Sequence, residues 1–214
     1  MKECPTPVIM VSALTKEGAK VTLKALQLGA VDLITKPLGS IPLDFHKVGE
    51  ELVAKFKAAA KVKPRPLLPL PVIPRQVTLT TYKFKDWAAV IIAASTGGPA
   101  TIRYLLSQLS YDLPAAILLV QHMPNGFTKF FADNLNQILS LLVHEAQDGE
   151  EIVFGKVYLA PAGFRLLVER SNCLRLDLPP PLHNVRPAAD KTFDSAAHVY
   201  RKMHWSCHDR YGQW

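Results

Sequence analysis

The sequence predicts an α/β protein in two unequal parts, and three observations lead there. Short apolar runs of strand length, "PVIMVSA" (7–13), "AAVIIAAS" (88–95) and "AAILLVQH" (115–122), alternate with amphipathic stretches of helical period. The runs are apolar throughout, which marks strands covered on both faces, as in a parallel sheet. Between the two groups the composition shifts to Pro and Lys, the signature of a linker.

The elements follow in order. "PVIMVSA" is a buried strand. "TKEGAKVTLKALQLGA" is a helix that Thr15 caps and Gly29 stops. "VDLITK" is a second strand, ended by Pro37, and Phe45, Val48, Leu52 and Phe56 mark the apolar side of a second helix. This strand–helix–strand–helix unit, residues 1–56, is half of an open parallel sheet and too one-sided to bury a core alone. Residues 57–85 form the linker, with Pro64 to Pro74 favouring polyproline geometry. The second domain is expected over 86–202. There "AAVIIAAS", the helix "PATIRYLLSQL" and "AAILLVQH" make one βαβ unit. "FTKFFADNLNQIL" is a helix with Phe127, Phe130, Phe131, Leu135, Ile138 and Leu139 on its apolar side. "LLVHEA", "KVYLAPA" and "RLLVER" are short strands, with a hairpin expected around Gly163.

Composition narrows the function classes. Of 214 residues, 49% are hydrophobic and 20% charged, the balance of a soluble globular protein. No apolar run approaches the roughly 20 residues that cross a bilayer, and the start lacks a signal-peptide core, so a cytoplasmic protein without membrane insertion is expected. Cys4, Cys173 and Cys207 are too scattered for a disulfide framework, and His144, His183 and His198 lack metal-ligand spacing; no metal or other cofactor is implied. The net charge of +7 sits in residues 1–85, with 14 Lys+Arg against 6 Asp+Glu. Those cations lack interleaved aromatics, so they read as a solvated face and not as a nucleic-acid surface.

The chemistry gathers at two strand ends. Ser95 ends one strand where a helix begins, and His122 ends the next; ligands in open α/β sheets collect at that carboxyl edge. A serine hydroxyl needs such a base to become a nucleophile. The "STGG" that follows the strand places Thr96, Gly97 and Gly98 at a helix start, where backbone N–H groups suit an oxyanion or a phosphate. Two other readings stand beside this one. Ser95 has the side chain of a helix N-cap, and "STGGP" resembles a phosphate loop without its lysine.

"IIAASTGGP", "QHMPNGFTKFFADNL" and "VHEAQDGEEIVFGKVYLAPAG" together resemble the catalytic domain of the chemotaxis protein-glutamate methylesterases. "PTPVIMVSALTKEGAKVTLKALQLGAVDLITKP" resembles the second half of the receiver domain that precedes it in that family. The resemblance implies a partial receiver-type sheet, a Pro-rich linker and a Rossmann-like parallel α/β methylesterase domain. It implies hydrolysis of glutamate methyl esters on the cytoplasmic helices of chemoreceptors, with glutamine deamidation in some members. Ser95 then matches the nucleophile and His122 the general base, while Ser12 and Lys36 match the receiver's switch hydroxyl and phosphate-pairing lysine.

Two departures from the family pattern carry expectations. The acidic pocket and phospho-accepting aspartate of the receiver do not precede Met1, so control by a histidine kinase is expected to be absent. The family's third triad member, an aspartate after a "TGMG" turn, is not found; the chain instead runs "MHWSCHDRYGQW". Read one base later, that tail permits "TGVVMTGMGN", so residues 203–214 are expected to be out of frame. A missing triad acid costs roughly 10⁴ in turnover, about 5 kcal/mol of barrier. A weakened esterase, a non-catalytic receptor-binding remnant and a phosphate-binding domain are the three readings that remain.

Overall fold

The computed structural model of the chain describes residues 6–13, 15–36, 42–61, 89–178 and 188–200. The polyproline linker, the tail 203–214, Cys4, Cys207 and His183 fall outside the described residues.

The first unit runs β1 (Ile9–Ser12), α1 (Lys16–Gln27), β2 (Asp32–Thr35) and α2 (Pro42–Ala59), with β1 and β2 parallel neighbours. The helix signals of α1 are realised atom by atom. Thr15 Oγ1 accepts from the Gly18 N–H at 3.0 Å. At the other end Gly29 takes φ 106°, so that Ala30 N–H reaches Ala25 C=O (2.9 Å) and Gly29 N–H reaches Leu26 C=O (3.2 Å), a Schellman cap. The apolar stripe expected on α2 is only partly used: Phe56 is 58% exposed. The helix packs on β1 and β2, and a two-stranded sheet is too narrow to cover a full stripe. The same helix also brings a half-buried lysine onto β2. Lys55 Nζ donates to Leu33 C=O at 2.6 Å and pairs with the buried Asp32 carboxylate at 3.4 Å.

The second unit contains β3 (Ala89–Ala94), α3 (Gly98–Ser107), β4 (Ala116–Gln121), α4 (Phe127–Ile138), β5 (Leu142–Glu145), β6 (Lys156–Leu159), β7 (Arg165–Val168), β8 (Leu174–Asp177) and α5 (Ala189–Val199). Four strands form an all-parallel sheet in the order β3-β4-β6-β5. Alternate residues of β4 and β6 serve opposite faces. Ile117, Leu119, Val157 and Leu159 pack with α3 and α4, and that core continues into Leu23 and Leu26 of α1. Leu118, Val120, Tyr158 and Ala160 pack with β7, β8 and α5 through Leu166, Leu174 and Ala196.

The hairpin expected around Gly163 lies elsewhere. β6 is paired on both sides, by β4 and β5, and has no free edge for β7. β7 instead pairs antiparallel with β8, an element the sequence pattern had not marked, through a turn in which Asn172 has φ 61°. Helix α5, also unmarked, covers β7: Thr192 Oγ1 donates to Leu166 C=O at 2.7 Å. Among the described residues no helix is long and apolar enough to cross a membrane.

Candidate active site

β3 and β4 are adjacent and parallel, with Ala94 opposite Gln121. The pairing extends one step past the strands, where the His122 N–H donates to Ala94 C=O at 3.2 Å. Ser95 and His122 therefore leave the sheet beside each other at its carboxyl edge, and both are half-buried.

The segment after Ser95 is a tight turn. Gly98 N–H donates to Ser95 C=O at 2.8 Å, and Gly97, at φ 78° and ψ −3°, occupies the position of a type II turn that requires a left-handed residue. Helix α3 begins at Gly98 with Gly97 as its N-cap and no side-chain cap bond. The reading of Ser95 as helix cap is thus overturned, because the turn separates the serine from the first helical residue. Thr96 and Gly97 lie at the positive end of the α3 dipole, the place a developing anion favours.

The same turn recurs at two neighbouring strand ends. After β4, Phe127 N–H donates to Pro124 C=O (3.1 Å) with Gly126 at φ 81°. After β6, Phe164 N–H donates to Pro161 C=O (3.2 Å) with Gly163 at φ 89°. A Cβ on Gly163 would meet Asn125 Oδ1 at 3.1 Å, so the second and third turns touch. Thr128 ties this rim together: its Oγ1 donates to Glu145 at the end of β5 (2.5 Å) and accepts from Ala162 N–H (3.2 Å). The edge is thus a row of short, internally bonded turns at the ends of β3, β4 and β6.

Sequence reasoning passed over Gln121. It is the one polar side chain in a strand buried along its whole length, and its own exposure is 0%. That contrast was the available signal, since a buried amide must find partners. Ser12 and Lys36 also meet at a strand edge: Ser12 pairs in register with Thr35, and Lys36 N–H donates to Ser12 C=O at 2.7 Å. Ser12 Oγ donates to Gly18 C=O in the first turn of α1 at 3.2 Å, and Lys36 is exposed.

Comparison with known proteins finds relatives of the chain. The profile of the CheB methylesterase family matches residues 90–207. The chain is 42% identical over 215 residues to a protein-glutamate methylesterase/protein-glutamine glutaminase of Symbiobacterium thermophilum, covering 94% of this chain and 59% of that protein. A protein of the same name from Thermotoga maritima is 47% identical over 204 residues, with the same two coverages. The chain thus spans about three-fifths of the length of these curated relatives. The crystal structure of the Thermotoga maritima CheB methylesterase catalytic domain superimposes with a TM-score of 0.52 at 42% identity, over 54% of this chain and 62% of that one.

Proposed function

We propose, on the premise that this chain belongs to the CheB methylesterase family, that its second unit is a protein-glutamate methylesterase domain using Ser95 and His122. The observation that carries the reading is the placement of Ser95 and His122 at adjacent parallel strand ends, joined through the His122 N–H to Ala94 C=O bond. The turn that frees Ser95 from capping α3 supports the same assignment.

In this reading His122 accepts the Ser95 hydroxyl proton as Oγ attacks the ester carbonyl of a methylated glutamate. The tetrahedral oxyanion is stabilised by backbone N–H groups of the Thr96–Gly98 turn. Collapse expels methanol, which leaves with the proton from His122, and a glutamyl–Ser95 ester remains. Water, deprotonated by His122, then releases the glutamate carboxylate. A glutamine side chain reacts by the same steps with ammonia as leaving group, the second activity in the relatives' names. The substrates are the cytoplasmic helices of methylated chemoreceptors, which places the protein in the cytoplasm. The Ser12 and Lys36 strand ends support a receiver-type first unit.

Methanol release from a methylated receptor fragment tests the reading with the full chain, Ser95→Ala and His122→Ala. Release above background by the unaltered chain and none by Ser95→Ala is the expected result. Equal rates in the unaltered chain and Ser95→Ala reject Ser95 as nucleophile; receptor binding without turnover then favours the receptor-binding remnant.

A further inference from the structure

We propose that Gln121 is a positioning residue, whose buried amide ties the Ser95 loop to the His122 loop and fixes the separation of nucleophile and base. The inference rests on the assignment of Ser95 and His122 proposed above. Gln121 Nε2 uses both hydrogens on main chain, donating to Ser95 C=O at 3.1 Å and to His122 C=O at 2.9 Å. These carbonyls belong to the two candidate catalytic residues, which leave two different strands. The orientation of the amide follows from its neighbours, since the oxygen turned the other way would face two acceptors.

The tie is held on both sides. Ser95 C=O accepts from Gly98 N–H (2.8 Å) as well as from Gln121, which fills both of its lone pairs. His122 is held through its N–H by Ala94 and through its C=O by Gln121. Neither loop can swing without breaking one of these bonds.

Gly98 supplies the space. A Cβ on Gly98 would overlap Gln121 Oε1 and lie 2.8 Å from Gln121 Cδ and 3.0 Å from Ala94 Cβ. The φ of Gly98 is not in the left-handed region, so the need for glycine here is room for the amide. Oε1 has no hydrogen-bond donor among the described residues. The two N–H groups are therefore the only polar pairing that offsets the burial of this side chain.

A fluorophosphonate probe, which phosphonylates an activated serine with loss of fluoride, reads the geometry directly. Its kinact and KI are measured on the full chain and on Ser95→Ala, Gln121→Met, Gln121→Ala, Gly98→Ala and the Gly98→Ala/Gln121→Ala double variant, with thermal melting as the check on folding. Misplacing reacting groups by about 1 Å costs on the order of 100-fold. Gln121→Met should therefore lower kinact about 100-fold at unchanged KI and full labelling amplitude. Gly98→Ala should do the same by displacing the amide, but should add less than about twofold in the Gln121→Ala background, where the overlap with the amide is gone and only the 3.0 Å approach to Ala94 Cβ remains. Unchanged kinact in folded Gln121→Met overturns the proposal, as does a loss confined to labelling amplitude, or multiplicative Gly98 and Gln121 effects. Where the Gln121 variants do not fold, Gly98→Ala decides alone, and an unchanged kinact overturns the tie. If the unaltered chain labels no faster than Ser95→Ala, the nucleophile assignment itself fails and the tie loses its purpose.

Discussion

Alkaline pH tests how dry the second face of the parallel sheet is. Tyr158 is wholly buried there; its hydroxyl donates to Glu151 C=O (2.9 Å) and accepts from Val153 N–H (2.8 Å). Desolvation pushes its phenol up to about 12, against the Val153 bond and with help from the charges of Glu150 and Glu151. Burial likewise pushes Tyr200 up to about 12. An unfolded chain releases such protons near pH 10, so above that pH the unfolded state binds fewer protons and stability falls as pH rises. The contribution of each tyrosine is whole below about pH 10 and lost by about pH 12, at about 1.4 kcal/mol per pH unit. Urea unfolding at a series of pH values between about 9 and 12 measures this slope. Tyr158→Phe should make it shallower by about 1.4 kcal/mol per unit between about pH 10 and 12. At neutral pH the same substitution should cost about 1–3 kcal/mol, because the Val153 N–H and Glu151 C=O lose their shared partner. Equal alkaline slopes for both proteins would refute a protonated Tyr158 held in a dry site.

Lys55→Met leaves the Asp32 carboxylate buried without its counter-charge, and should cost about 3 kcal/mol. Because the loss falls on β1, β2 and α2, hydrogen exchange at the Leu33 and Ile34 amides is the measurement; unchanged protection contradicts the pairing. Thr192→Val keeps the volume at a fully buried position but removes the donor to Leu166 C=O, and should lower stability by about 1–3 kcal/mol. Calorimetry should register this as a lower melting temperature, and a shift below about 1 °C would contradict it. Mixing the full chain with methylated receptor should release methanol only while Ser95 is intact, as set out for the proposed function.

Much of the fold and the outline of the site were legible in the residues. The apolar strands, the Thr15 cap and the Gly29 stop depend on local chemistry, and each formed where its signal lay. Ser95 and His122 were legible as a pair because a βαβ unit places both at one sheet edge whatever the later packing. The hairpin failed at Gly163 because local turn chemistry was right while the edge it needed was already occupied by β4 and β5. Phe56 failed as a core residue because periodicity reports which side a helix would bury, not how wide a surface awaits it.

The sequence by itself determined most of the strands and helices, though not β8 or α5, and singled out the two residues of the candidate chemistry. Only the tertiary structure decided that Ser95 does not cap its helix, that α1 shares a core with α3 and α4, and that Gln121 spans the two loops. The physical reason is range. Caps, turns and periodicity act within a few residues, whereas strand order and the pairing of a buried amide depend on groups brought together from distant parts of the chain.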